Sequence, residues 1–249
     1  MRVALFVPCY VDQLAPDTAM ATLRVLESVG CEVHYDPEQT CCGQPFLNLG
    51  ALRETRGLAE RHAARFRGFD AVVSPSASCV ATIRAHYPKL GLSGMLPART
   101  FELGEFLVRK LGRTQLGARF PRRVAILQSC HGVRTLGLAR ASELGPAGKA
   151  RAGPGTTEQL LNQVTGLRLV TPERADECCG FGGAFSLKLP EVSARVGRAR
   201  LTALQECGAE VVTGTDTSCL LHLEGLRRRL GFGPEPVGLA EILASGIDP

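Results

Sequence analysis

Ten cysteines stand among 249 residues, and eight of them fall into one arrangement written twice. The first copy is Cys9, then Cys41-Cys42-Gly43, then Cys79; the second is Cys130, then Cys178-Cys179-Gly180, then Cys219. Thiolates are soft ligands suited to zinc and to iron–sulfur clusters. Four cysteines per copy is the number that holds one cluster. The adjacent pair carries more information. Neighbouring side chains on a strand point apart, whereas in a kinked loop both can reach a body several ångströms wide. A lone zinc ion is usually closed by a compact C-x2-C knuckle, and neither copy has one. The ferredoxin run C-x2-C-x2-C-x3-C is also missing. Glycines accompany both pairs. Gly43 and Gly180 let backbone come close to a bound group, and Gly180, Gly182 and Gly183 can aim N–H groups at sulfide, which raises a cluster's potential. Zinc ligation and plain buried thiols are the alternatives.

The surroundings repeat with the cysteines. Residues 2–9 read RVALFVPC and residues 123–130 read RVAILQSC. The run AVVSPSASC at 71–79 is echoed by EVVTGTDTSC at 210–219. Self-similarity at half the chain length points to a duplicated domain. Strands are expected at 3–8, 31–35, 71–74, 123–128, 167–170 and 211–213. Helices are expected at 17–29, 49–66, 79–86, 101–111, 190–207, 218–230 and 239–244. Pro45 should bar a helix directly after the first pair. Thr156 or Thr157 should cap a helix reaching Val164. The glycine- and proline-bearing stretch 138–155 should be a loop. Strands alternating with helices imply α/β architecture: two pseudo-repeated halves, each a small parallel sheet flanked by helices. The boundary falls in 112–121, giving halves of 1–115 and 122–249. In such units function gathers in the loops beyond the strand carboxyl ends, where all eight repeated cysteines fall.

Composition narrows the role. With 45% hydrophobic and 21% charged residues the chain is ordinary for a globular protein. Its formal charge is +5, Trp is absent, and Tyr numbers three, so no aromatic platform accompanies the basic clusters at 119–123 and 227–229. That excludes a single-stranded nucleic-acid groove as the first expectation. No apolar run is long enough to span a membrane. The apolar start is too short for a signal peptide and reads as a first strand, so a cytoplasmic location is expected. In that compartment ten cysteines favour metal or catalysis over disulfides. Cys31 and Cys207 break the repeat and read as packing residues.

The histidines and isolated charges stand apart from the repeat. His131 follows Cys130, and His222 lies three residues beyond Cys219; either could donate a proton near a substrate or ligate iron. His34, His62 and His86 read as surface or packing residues. Ser76 and Ser78 read as caps of the helix at Cys79. Arg134 and Lys188 could meet a carboxylate, although solvated charge is the plainer reading. No G-x-G-x-x-G opens a helix after a strand, so electrons must pass to or from another chain.

The pattern resembles the cysteine-rich CCG domain. That domain occurs in tandem in the cysteine-rich subunit of heterodisulfide reductase, the glycolate oxidase iron–sulfur subunit and lactate-utilisation protein A. Here 31 residues separate Cys9 from Cys41 and 35 separate Gly43 from Cys79; the second copy has 47 and 38. The length, Cys178-Cys179-Gly180-Phe181-Gly182-Gly183, and Thr217-Ser218-Cys219-Leu220-Leu221-His222 resemble the lactate-utilisation branch most. The resemblance implies oxidation of L-lactate or a related small 2-hydroxy acid, with partner redox subunits. In the heterodisulfide reductase type a fifth cysteine three residues after the last one helps hold a non-cubane cluster. Thr82 and His222 occupy those positions here, so an ordinary [4Fe–4S] cluster in each half fits four ligands better. The alternatives are a heterodisulfide-reductase-like subunit acting on thiols and a zinc-stabilised interaction module.

Overall fold

The computed structural model describes residues 1–144 and 153–247. Valine-rich β3 (Ala71–Ser74) and β7 (Val211–Gly214) are buried along their whole length, as central strands covered on both faces must be. β3 pairs in parallel with β1 (Arg2–Leu5) and β4 (Thr100–Glu102), and β1 pairs with β2 (Glu32–His34). β7 likewise pairs with β5 (Arg123–Leu127) and β8 (Glu235–Pro236), and β5 with β6 (Arg168–Val170). The two four-stranded sheets have matching orders, β2-β1-β3-β4 and β6-β5-β7-β8. The expected duplicated α/β architecture is the architecture found.

This strand order positions the site. From β1 the chain goes outward to β2, then returns to β3 on the other side, so β1 and β3 flank the point where the winding direction reverses. Ligands bind at the crevice such a reversal leaves beyond the strand ends. Cys9 follows β1 and Cys79 follows β3; Cys130 and Cys219 hold the same places after β5 and β7.

The main helices of the first half are α1 (Cys9–Leu14), α2 (Pro16–Ser28), α3 (Gln44–Asn48), α4 (Leu52–Arg65) and α5 (Ala77–His86). Those of the second are α6 (Thr156–Leu161), α7 (Ala184–Lys188), α8 (Pro190–Glu206), α9 (Thr217–Leu230) and α10 (Leu239–Ala244). Pro45 does not bar a helix: it sits in the first turn of α3, where its missing N–H costs nothing. Residues 101–111 are not one helix. Thr100–Glu102 adds the edge strand β4, and only then does the chain turn helical. Gly155, not a threonine, stands at the N-cap of α6, and Glu158 reaches back to its N–H at 3.3 Å. α5 begins two residues before Cys79, with Ser76 capping the Cys79 N–H at 3.5 Å. Of the loop expected at 138–155, residues 145–152 lie outside the described residues.

One apolar core crosses both halves: Val3, Leu5, Val25 and Leu26 pack in a single cluster with Val124, Leu160, Val211 and Leu243. α10, at the carboxyl end, lies along α2 near the amino end, and Thr18 donates to Glu241 at 2.6 Å. No described helix is long and apolar enough to cross a membrane.

Candidate metal centre

The carboxyl ends of the two sheets face each other. The β3–α5 and β7–α9 loops meet head on: the Ala77 N–H donates to the Thr215 carbonyl at 2.8 Å, and Ser76 and Asp216 form an antiparallel bridge. Asp216 is 2% exposed, and its carboxylate accepts from the Ser78 N–H at 2.9 Å, the Ser78 hydroxyl at 3.2 Å and the Ser218 hydroxyl at 2.9 Å. Across this seam the two crevices open into one cavity of about 620 Å³, and all eight repeated cysteines line it.

In the first half the thiols form a chain. Cys9 and Cys41 sulfurs stand 3.8 Å apart, and Cys42 and Cys79 sulfurs 3.3 Å apart. Hydrogen bonds from Cys42 and Cys9 bring the Cys41 thiol down to about 3, while donation to Cys41 pushes Cys9 and Cys42 upward. The Gly43 N–H points at the Cys41 sulfur, 3.4 Å away, and the Tyr87 hydroxyl donates to the Cys42 carbonyl at 2.9 Å. Gly43 takes φ +86, the left-handed turn that carries the chain from the pair into α3.

The second half repeats this with its outer thiols more open. Cys179 and Cys219 are buried with sulfurs 2.9 Å apart, whereas Cys130 and Cys178 are exposed. The Gly180 N–H lies 3.3 Å from the Cys178 sulfur and the Phe181 N–H 3.5 Å from the Cys179 sulfur. Gly180, Gly182 and Gly183 all have positive φ. Donation to Cys179 raises the Cys178 thiol; burial, then the nearby Cys178, raises Cys130.

The histidine candidates separate. His131 lines the cavity; its Nε2 is 3.3 Å from Gln44 Nε2 and its Nδ1 3.7 Å from the Cys130 sulfur. His222 packs behind the wall, against the Phe181 ring at 5.8 Å. Lys188 lines the cavity, while Arg134 is engaged by Glu143 at 2.7 Å and Asp176 at 3.1 Å. Cys31 belongs to the apolar core and Cys207 donates to the Leu204 carbonyl at 3.1 Å; neither lines the cavity. The Thr82 hydroxyl donates to the Ser78 carbonyl at 2.9 Å, a bond within its own helix.

Sequence reasoning missed Asp216, Gln44 and Tyr87 as parts of this region. Asp216 carried one signal: a carboxylate where the first copy has the hydroxyl of Ser76. Gln44 and Tyr87 carried none, because their roles arise from contacts across the fold.

Among the described residues no three Cys, His, Asp or Glu side chains are disposed around a point that would hold one metal ion. Each half instead offers four soft donors strung along a crevice, with backbone N–H groups aimed at sulfur. That suits a body with several bonding points better than a single ion.

Residues 3–84 and 124–224 each match the family model of the cysteine-rich CCG domain. The chain is 38% identical to lactate utilization protein A of an Exiguobacterium species, over 99% of this chain and 98% of that protein. It is 36% identical to lactate utilization protein A of Macrococcus caseolyticus, over 100% and 98%, and 35% identical to that of Oceanobacillus iheyensis, over 98% and 96%.

Proposed function

Because the chain belongs to the cysteine-rich CCG-domain family, among relatives named lactate utilization protein A, we propose that it is an iron–sulfur oxidoreductase subunit. It serves oxidation of L-lactate, or a related 2-hydroxy acid, to the 2-oxo acid within a multi-subunit complex. The single observation that carries this reading is the convergence of all eight repeated cysteines on one cavity. Cys9, Cys41, Cys42 and Cys79 would hold one cluster, and Cys130, Cys178, Cys179 and Cys219 the other. Clusters bound there would supply one-electron storage between substrate and partner.

The chain's own residues do the rest. The N–H groups of Gly43, Gly180 and Phe181 aim at ligand sulfur and stabilise its negative charge. His131, beside Gln44, is the imidazole that lines the cavity and the group assigned to take up or release a proton there. Lys188 offers a cation for a substrate carboxylate. Apolar side chains crowd one side of the molecule near the mouth: Phe46, Leu49, Leu187 and Leu189 are all more than 40% exposed, and all but Phe46 line the cavity. Such a patch fits the docking of a partner subunit, which a chain without a hydride-accepting motif requires. The thiol-cleaving alternative loses support from Thr82 and His222, which stand where a fifth cysteine would in each copy.

Anaerobic preparation with iron and acid-labile sulfide counting tests the reading. The wild type should hold iron and sulfide in equal amounts, and Cys42→Ala and Cys179→Ala should each lose one cluster's share. Zinc without sulfide, or either variant keeping its full iron, would overturn it. With candidate partner chains added, lactate should bleach the visible absorption of the brown protein.

A further inference from the structure

Each double-cysteine loop leans on the long helix behind it, α4 in the first half and α8 in the second. A Cβ on Gly43 would meet the Thr55 carbonyl at 3.5 Å and Leu58 at 3.6 Å; one on Gly180 would meet the Ser193 carbonyl at 2.6 Å and Val196 at 3.2 Å. Thr55 therefore corresponds to Ser193, and Leu58 to Val196. From there the buried positions keep step. Thr55, Ala59, His62 and Phe66 match Ser193, Gly197, Arg200 and Leu204, the inward stripe of a helix in both halves. Where the first half buries a histidine, the second buries an arginine, at 0% and 1% exposure.

These two groups differ in charge. His62 sits in a box of Phe6, Phe66 and Tyr87 rings, 4.6, 4.5 and 5.8 Å away, and neither ring nitrogen has a partner among the described residues. Burial there holds it neutral, with its pKa near 3. Arg200 donates to the carbonyls of Arg174 and Ala175, both at 2.7 Å. Those carbonyls lie on the segment that leads into Cys178. A guanidinium stays charged in proteins, and here peptide dipoles rather than a carboxylate hold it. The nearby acids have other cations: Glu177 pairs with Arg174 at 2.9 Å and Asp176 with Arg134 at 3.1 Å. Burial works against the Arg200 charge, and the neighbouring Glu177, Cys207, Cys179 and Asp176 work to retain it. Asp216 acts in the opposite sense on Cys219 and Cys130, with its charge spread over three donors.

We propose that Arg200 is a positioning residue that gives the second-half cluster a fixed positive charge with no counterpart in the first half, and so raises its reduction potential. Reduction adds negative charge, and a buried cation favours the more negative state. The inference rests on the iron–sulfur reading above. It makes the two clusters unequal although their ligands match.

The test uses the loaded Cys42→Ala protein, in which only the second-half cluster remains, and reads its midpoint potential by spectroscopic redox titration. Arg200→Gln keeps a donor for the carbonyls but removes the charge; Arg200→Lys keeps the charge but loses the planar fork. The glutamine variant should shift the reduction equilibrium at least tenfold toward the oxidised form, about 59 mV for one electron, and the lysine variant should shift it less than half as far in millivolts. Equal shifts in both, no shift in the glutamine variant, or loss of iron from either would leave Arg200 a purely structural anchor and overturn the proposal. Absence of iron and sulfide from the Cys42→Ala protein with Arg200 intact would instead remove the iron–sulfur reading beneath it.

Discussion

A single hydrogen atom decides how the second pair of thiols is presented. At Gly180, with φ +91, an added Cβ would fall 2.6 Å from the Ser193 carbonyl and 2.8 Å from the Gly197 nitrogen, both backbone atoms that cannot step aside. Gly43 has nearly the same φ, +86, but its nearest contact would be an ordinary 3.4 Å. Gly180→Ala should therefore cost about 3 kcal/mol, strain plus clash, and deplete iron from the second half alone. Gly43→Ala should cost only the left-handed strain, roughly 1–2 kcal/mol, and leave both clusters in place. Chemical denaturation with iron counting compares the two; equal losses would mean the Ser193 contact does not matter. The cysteines were legible as candidate ligands from type and spacing, since four soft donors repeated twice suit a bound group. The contrast between the two glycines was not legible, because it depends on what the helix behind each loop places opposite them.

At the scale of the element, α4 and α8 do more than cover a sheet. α4 carries His62 into an aromatic box, where the sequence offered a surface or packing residue. Its histidine pKa falls from 6.5 to about 3 through burial. The folded state then binds fewer protons than the unfolded chain below pH 6.5, so stability is complete above that pH and drains away as pH falls toward 3. At pH 5 the loss is about 2 kcal/mol. His62→Phe, which fills the box without a titratable ring, should remove that loss. Urea midpoints of the metal-free chain at pH 7 and pH 5 should separate for the wild type and draw together in the variant. A variant with the same pH dependence as the wild type would refute the assignment. The short edge strands β4 and β8 escaped sequence reading for a related reason. Three residues or two carry no periodicity, and they become strands only because β3 and β7 offer them a free edge.

Across the whole molecule, the two halves are joined by a core and a seam. Asp216 is the seam's fixed point, satisfying the first turn of α5 in one half and Ser218 in the other. Asp216→Ala would leave the Ser78 N–H buried without its acceptor and the Ser78 hydroxyl with only the Ser76 hydroxyl, 3.2 Å away. Hydrogen bonds to a charged group are worth roughly 1.5–3 kcal/mol each and unsatisfied buried donors cost similar amounts, so a loss of about 3 kcal/mol is expected in denaturation. The variant should also retain less iron in both halves, since Cys79 and Cys219 follow the loops it joins. Iron loss confined to one half would contradict a shared seam.

Read alone, the chain of residues determined the duplication, the parallel α/β order and the eight repeated cysteines as candidate soft-metal ligands. These follow from local periodicity and from residue type, which neighbours in sequence are enough to express. The tertiary structure decided that both sets of donors open into one cavity, that His131 faces it while His222 stands behind it, and that a neutral ring and a guanidinium occupy matching places in the two halves. Each of those outcomes depends on how the carboxyl ends of two sheets are brought face to face, and no local stretch of sequence encodes that orientation.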